Sequence, residues 1–444
     1  MNKVLEKGKE LLDPTEVRLI GEQKDAVDDI FKFLNDKDRQ FYVLKGYAGT
    51  GKTTIISYIA QNIRKRGVRV YGTFIPDMIV SAPTNKAVKV LQGKLDNADV
   101  RTPAATIHKL LAIRPFINND TGEEEYKPDK WLDKSIMDYN FVVIDEASMV
   151  NKNLIKIIQE ELMDLKIKVL YVGDPAQLPP VNETHSPSFD TKSQYELTDV
   201  IRYGNTINKF ATFIRKNQDK NLVIPSVNEV GENGQGVVTY SPTKFKNHIK
   251  EIFTDTIYEK NPEFSRVLAY TNDRVHYWNN IIRGYIMGED LPQFVVGDRL
   301  VAKEACVEGE DNIILKNSEE VIVTSANIKS KKDIKYWLLS CKNVDTLGHL
   351  ELRVLHHDSQ KKHRINLQKH AHKKDWRKFY SENKWFHDVT YSHALTVHKS
   401  QGSSFQNVFL DLPNIQWNKN IKERNQLIYV GVTRATHMVN IKLK

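Results

Sequence analysis

The sequence predicts an α/β protein built on two parallel sheets with smaller β inserts. Three observations predict it: short apolar runs end in polar or Gly-rich segments, helical stretches separate them, and the alternation occurs in two regions divided by different material. At 444 residues the chain exceeds one ordinary core. Its 40% hydrophobic, 9% aromatic and 27% charged residues are a globular rather than a disordered balance. No apolar run approaches the roughly 18 residues of a membrane helix, and the amino terminus is charged from Lys3 without a signal-peptide core. A cytoplasmic protein with no membrane partner is expected. The two cysteines, Cys306 and Cys341, are too few for a disulfide framework and lack a metal spacing, so neither zinc nor redox chemistry is expected.

In the first region Phe41–Leu44, Met78–Ala82, Phe141–Ile144 and Val169–Val172 read as buried parallel strands, whose carboxyl ends carry the loops where such sheets bind ligands. Within it, residues 112–130 predict a small hairpin, because Asn118-Asn119-Asp120-Thr121-Gly122 is turn-rich and lies between Pro115-Phe116-Ile117 and Tyr126. In the second region Arg266–Tyr270, Val389–Tyr391, Val408–Leu410 and His437–Ile441 read as strands. Residues 294–358, with short alternating runs at Glu320–Thr324, Tyr336–Leu339 and His349–Leu355, predict a small β-barrel. A basic helical piece follows, from about Gln360 to Phe386.

Lys and Arg number 65 against 56 Asp and Glu, a formal net charge of +9. Almost the whole excess lies in residues 329–388, with 15 basic and 7 acidic side chains. A basic chain fits a polyanionic partner. The same stretch holds His349, His356, His357, His363, His370, His372 and His387, whose loose spacing among lysines reads as a solvated face rather than a metal site.

Gly46-Tyr47-Ala48-Gly49-Thr50-Gly51-Lys52-Thr53-Thr54 matches G-x-x-x-x-G-K-[ST] and follows a predicted strand, with a predicted helix (Ile55–Arg64) after it. Glycines let backbone N–H groups wrap a phosphate, and the helix amino end adds favourable partial charge. Lys52 reaches the β/γ-phosphates of ATP and Thr53 supplies a hydroxyl to Mg²⁺. Phe141-Val142-Val143-Ile144-Asp145-Glu146 is an apolar strand ending in two carboxylates. Asp145 is expected to hold Mg²⁺ and Glu146 to orient or deprotonate the attacking water.

In order along the chain, further motifs resemble the superfamily 1 helicases, within them the RecD and phage Dda type that moves 5′ to 3′ on single-stranded DNA. Gln23, in Gly21-Glu22-Gln23-Lys24, resembles the family's adenine-reading glutamine. Gly173-Asp174-Pro175-Ala176-Gln177-Leu178-Pro179-Pro180-Val181 resembles its third motif, in which the Gln177 position senses the γ-phosphate and the Pro179 position approaches DNA. Thr396-Val397-His398-Lys399-Ser400-Gln401-Gly402 resembles motif V, with Gly402 at the nucleotide. Tyr429-Val430-Gly431-Val432-Thr433-Arg434-Ala435 resembles motif VI, in which Arg434 is an arginine finger. Arg202, in Leu197-Thr198-Asp199-Val200-Ile201-Arg202, matches a second such arginine. In isolation either arginine would read as a surface ion pair.

The resemblance implies two tandem RecA-like domains, residues 1–111 with 131–195 and residues 196–293 with 389–444. It also implies a hairpin insert (112–130) whose tip splits the duplex, with Phe116 or Tyr126 as wedge, and an SH3-like barrel with its helical extension (294–388). Pro83, Thr84, Asn85 and Lys86, then Thr106 and His108, are the first domain's implied DNA contacts; Thr271, Asn272, Thr396, His398 and Lys399 are the second's. Short hydroxyl, amide and imidazole groups suit phosphate and sugar contacts, although each alone also suits a helix cap. The implied cycle closes a cleft around ATP, Mg²⁺ and the arginines, and opens it after hydrolysis. The implied protein is a monomeric DNA helicase acting on single strands and single-strand/duplex junctions in replication, recombination or repair, in a bacterial or phage-infected cytoplasm, with a single-strand-binding protein or replisome component as partner. An RNA helicase, or a nucleic-acid-stimulated ATPase that remodels complexes without unwinding, are the alternatives.

Overall fold

A computed structural model of the chain describes residues 17–63, 65, 70–71, 77–163, 165–199, 206–232, 234–309 and 312–443. They fall into two compact units, Met1–Ala112 with Asp133–Pro175 and Pro179–Ile201, and Ile113–Leu132 with Ala176–Leu178 and Arg202–Lys444. Among the described residues no helix is long and apolar enough to cross a membrane.

The first unit holds a six-stranded sheet in the order Ala104–Thr106, Met78–Ala82, Phe141–Ile144, Lys168–Gly173, Phe41–Gly46, Gln194–Leu197. Every neighbouring pair is parallel. The four inner strands are the four apolar runs of the sequence. The two edge strands, Ala-Ala-Thr and Gln-Tyr-Glu-Leu, are too short and too polar to give a strand pattern. Val27, Ile30, Phe33 and Leu34 recur at helical spacing in Glu22–Asn35 and pack with Ile55 and Ile59 of Lys52–Asn62 against Tyr42, Leu44 and Val143 of the sheet. All nine are fully buried, each contributing about 1.5–3 kcal/mol by burial. One strand, Lys168–Gly173, separates Phe41–Gly46 from Phe141–Ile144, so the Gly-rich loop, the carboxylate pair and Asp174 all follow strand ends on one edge of the sheet.

The second unit has its own six-stranded sheet, ordered Ala394–Thr396, Ser265–Ala269, Phe405–Asp411, Ala435–Lys442, Gly236–Tyr240, Asn228–Val230. The first five are parallel and the last antiparallel. Phe245, Trp278 and Phe409 meet edge-on in its core, with centroids 5.6 and 5.7 Å apart. One expected strand is corrected. Val389–Tyr391 does not join this sheet; it pairs antiparallel with Arg299–Ala302, and Val389 and Tyr391 pack in the insert's core with Leu300 and Trp337. The parallel strand begins after the turn, at Ala394. An alternating Val-Thr-Tyr triplet suits an antiparallel edge as well as a parallel one, and packing decides between them.

The insert is a five-stranded antiparallel sheet ordered His349–Leu355, Ile334–Asn343, Glu320–Lys331, Arg299–Ala302, Val389–Tyr391. Two buried ion pairs fix it to its host: Arg266 to Glu320 (2.8 Å) and Arg283 to Asp298 (2.6 Å), the latter bidentate. Cys306 and Cys341 lie in its core, and burial pushes both thiols up to about 12.

The basic helical piece is two helices, Gln360–His372 and Trp376–Lys384. Its histidines are not a uniformly solvated face. His356, His363 and His387 are buried, and burial holds all three below the ordinary histidine range. His356 stacks on Trp337, His363 meets Phe386 edge-on, and His387 accepts the Arg353 N–H. An imidazole is flat enough to serve as an aromatic core residue, which charge counting does not register.

Candidate functional site

The Gly-rich loop is built by steric necessity. Gly49 and Gly51 have φ of 85° and 82°, and Gly51 caps the helix Lys52–Asn62. At Gly46 a Cβ would lie 2.7 Å from Thr50 Oγ1. The Thr50 hydroxyl donates to the Tyr47 carbonyl (2.9 Å), closing the turn. Lys52 Nζ donates to the carbonyls of Gly46 (2.6 Å) and Tyr47 (3.1 Å), so its ammonium is held within the loop. Gln23 is 2% exposed; its Nε2 donates to Thr50 O (3.2 Å) and its Oε1 accepts from the Ile20 N–H (3.1 Å). The structure thus brings Gln23 against the loop that holds Gly46, Ala48, Gly49, Thr50, Gly51 and Lys52, with Thr53 and Thr54 in the helix's first turn.

Asp145 accepts the Glu146 N–H at 2.8 Å. Burial pushes its carboxyl up, against that hydrogen bond and the charges of Lys52 and Lys94, so the carboxylate form is short of positive charge. Asp145 and the Thr53 hydroxyl are hard oxygen donors of the kind Mg²⁺ takes, and they fit that ion. Glu146 has φ 53° and ψ 42°, a left-handed backbone unusual for a glutamate and of the kind that clusters at working sites.

In the second unit Arg434 is 7% exposed. Its guanidinium donates to Ser403 O (3.2 Å) and Thr433 Oγ1 (3.4 Å), while Nε has no hydrogen-bond partner and no carboxylate pairs with it among the described residues. A buried cation so sparsely paired is suited to an anion. Gly402 is buried with φ 72°. Arg202 lies outside the described residues.

Thr84, Thr106, Thr271 and Thr396 share a geometry. Each lies at or just past the end of a strand, and each Oγ1 accepts a backbone N–H three residues on, from Ala87 (3.2 Å), Lys109 (3.3 Å), Arg274 (3.3 Å) and Lys399 (3.2 Å). The cap reading and the DNA-contact reading are compatible. Capping uses a lone pair and leaves the hydroxyl proton free to donate to a phosphate oxygen. Pro83, Asn85 and Lys86 surround the first of these threonines, Asn272 follows the third, and Pro179 is partly exposed. Burial lowers the pKa of His108 and of His398, the latter against Glu423, which favours the neutral ring at both. Lys399, also lowered by burial, donates to Lys303 O at 3.4 Å.

The hairpin pairs Ile113–Ile117 with Glu124–Pro128 and groups with the second unit. Phe116 (42% exposed) lies opposite Glu125, and Tyr126 (50%) opposite Pro115, so the two aromatics point to opposite faces and form no shared core. The tip, which the resemblance implies splits the duplex, is held by the basic helical piece. Trp376 Nε1 donates to Asn119 O (2.9 Å), the Tyr380 hydroxyl to Gly122 O (2.7 Å), and Lys384 pairs with Glu124. Gly122 has φ 73°, and a Cβ there would lie 2.5 Å from the Trp376 ring. Trp376, Tyr380 and Lys384 recur every four residues on one helix face. Sequence reasoning missed this grip, whose signal was that spacing of donor-tipped side chains within a basic stretch.

A family model described as an AAA domain matches residues 18–231, and one described as a UvrD-like helicase C-terminal domain matches 391–441. The chain is 29% identical to the ATP-dependent DNA helicase Dda of Enterobacteria phage T4 over 461 residues, covering 94% of this chain and 97% of that protein. It is 26% identical to the RecBCD enzyme subunit RecD of Buchnera aphidicola subsp. Acyrthosiphon pisum, over 89% of this chain and 68% of the relative. Its fold is similar to that of a Pif1 helicase solved in a study of unwinding at forked duplex DNA, with a TM-score of 0.51, 17% identity, and coverage of 95% of this chain and 92% of that one.

Proposed function

The chain is a superfamily 1 helicase of the RecD, Dda and Pif1 type and an ATP-driven DNA helicase, and from that premise we propose that it moves 5′ to 3′ on single-stranded DNA and unwinds the duplex ahead. The observation that carries the reading is the pairing of two chemistries at strand ends. One sheet presents a Gly-rich loop and a carboxylate pair; threonine hydroxyls oriented by their own caps follow strands of both sheets.

In this reading the loop N–H groups and Lys52 take the ATP phosphates, Gln23 fixes the loop at the adenine end, and Glu146 orients the attacking water. Asp145 and Thr53 hold Mg²⁺, which neutralises phosphate charge when bound. Gln177, Arg202 and Arg434 serve the γ-phosphate. Thr84, Thr106, His108, Thr271, Thr396, His398 and Lys399 grip the sugar-phosphate backbone without reading sequence. The five-stranded insert serves as the SH3-like module, and the gripped hairpin, through Phe116 or Tyr126, divides the strands. A monomer acting in the cytoplasm, with a single-strand-binding or replisome partner, completes the proposal.

The test is strand displacement on duplexes carrying a 5′ or a 3′ single-stranded tail. Unwinding of the 5′-tailed substrate is expected; preference for the 3′ tail sinks the polarity, and ATPase stimulation by RNA but not by matched DNA sinks the substrate.

A further inference from the structure

Ala176, Gln177 and Leu178 are grouped with the second unit although the residues on either side, to Pro175 and from Pro179, belong to the first. The contacts that hold them are three glutamine side chains on three successive carbonyls. Gln218 Nε2 donates to Ala176 O (2.7 Å), Gln426 Nε2 to Gln177 O (3.1 Å) and Gln401 Nε2 to Leu178 O (3.3 Å). The three come from separate places: a turn after the helix Thr206–Arg215, the helix Ile421–Thr433, and the stretch after Thr396. The turn is itself pinned by Asn425, fully buried, whose Nδ2 donates to Gln218 O (2.8 Å) and Lys220 O (2.7 Å).

Fixing the carbonyls before, at and after Gln177 fixes both of its peptide planes, and therefore the direction of its Cα–Cβ bond. Pro175, Pro179 and Pro180 restrict φ on either side. The side chain so aimed is 6% exposed, and its Oε1 has no hydrogen-bond partner among the described residues. A buried amide oxygen without a partner among the described residues is costly, so it is available to a further donor. An acceptor oxygen suits the O–H of a water rather than a phosphate oxygen, while the same amide's N–H suits the phosphate.

We propose that Gln218, Gln401 and Gln426 form a carboxamide clamp that acts as a set of positioning residues for Gln177, fixing the direction of the amide to which the helicase reading assigns the γ-phosphate. This rests on the helicase reading given above. The clamp's amides are spent on backbone carbonyls, so its part is to set the orientation of Gln177.

The experiment compares the wild-type chain, Gln218→Ala with Gln426→Ala, Gln426→Glu, Gln177→Ala, and Gln177→Ala combined with the first pair. ATP turnover is measured with a saturating single-stranded oligonucleotide, alongside KM for ATP, oligonucleotide binding by anisotropy, and thermal unfolding. The paired variant is expected to lose about tenfold in DNA-stimulated kcat, with KM and DNA affinity within about twofold, and to cause no further loss in the Gln177→Ala background. Gln426→Glu keeps the shape, loses the donor and sets a buried carboxylate against a carbonyl, so its kcat is expected to fall with that of the alanine variants and its unfolding temperature to drop. Unchanged kcat in the pair, or the same factor lost again when Gln177 is already alanine, overturns the clamp. A wild-type chain without DNA-stimulated hydrolysis overturns the helicase reading itself, and the clamp with it.

Discussion

The nucleotide loop and the hairpin grip are built on opposite scales. In the loop, Gly46, Thr50 and Lys52 constrain one another within a single turn of chain, through Thr50 Oγ1 to Tyr47 O and Lys52 Nζ to Gly46 O. At the hairpin, Trp376, Tyr380 and Lys384 reach Asn119, Gly122 and Glu124 across separations of 257, 258 and 260 residues. A local constraint leaves its mark on neighbouring residue types. A distant one leaves each partner looking ordinary, so a helix that positions the hairpin reads as a charged surface.

The sharpest way to break the comparison is at the local site. Lys52→Ala is expected to reduce ATP turnover by at least about 100-fold, since it removes the ammonium proposed to meet the phosphates, while single-strand binding stays largely intact. Normal turnover by this variant refutes the phosphate-site assignment. Next in size, Trp376→Ala with Tyr380→Phe frees the hairpin tip. Unwinding in a fluorescence strand-separation assay is expected to fall about tenfold, ~1.4 kcal/mol, with DNA-stimulated ATPase within about twofold. An equal fall in both would make the grip a general stability element instead.

The exposed charges beside the grip sharpen the comparison further. Lys373, Lys374, Arg377 and Lys378 are exposed, and Lys378 is paired with Asp375 at 2.9 Å. Reversing all four to Glu is expected to weaken duplex binding a few-fold and to reduce the slope of log affinity against log salt by about 1–3. An unchanged slope makes this face a solubilising one.

The smallest expected effect is on pH dependence. His393 is buried against the Tyr258 hydroxyl (2.8 Å), and burial with the charges of Arg266, Arg299 and Arg283 holds its pKa down to about 3. The unfolded chain binds this proton first, so stability is full above about pH 6.5 and falls as the pH drops toward 3, by at most about 1.4 kcal/mol per unit. His393→Asn keeps an acceptor and is expected to flatten that slope in denaturant unfolding between about pH 6.5 and 5. An identical slope for both proteins removes His393 as its source.

Much of the fold was legible. Tyr42, Val143 and Leu170 sit in uninterrupted apolar runs because a strand covered on both faces has no polar side to show. The short edge strands Ala104–Thr106 and Gln194–Leu197 were not legible, since three or four residues carry no period. Val389–Tyr391 was read as a strand but assigned to the wrong sheet. Lys52, Asp145 and Glu146 were singled out by residue type and spacing, whereas nothing local distinguishes Gln218 and Gln426 from the chain's other glutamines.

What the sequence determined by itself is the chemistry that short-range sterics and charge demand: glycines where φ must be positive, a lysine and two carboxylates after apolar strands, threonines where strands pass into helices. Only the tertiary structure decided which distant groups hold that chemistry in place. Arg266 under the insert, Trp376 at the hairpin tip and Gln426 on the Gln177 carbonyl are each ordinary in their local sequence. Their roles arise because burial leaves a carbonyl or a carboxylate without water, and folding brings the donor that replaces it.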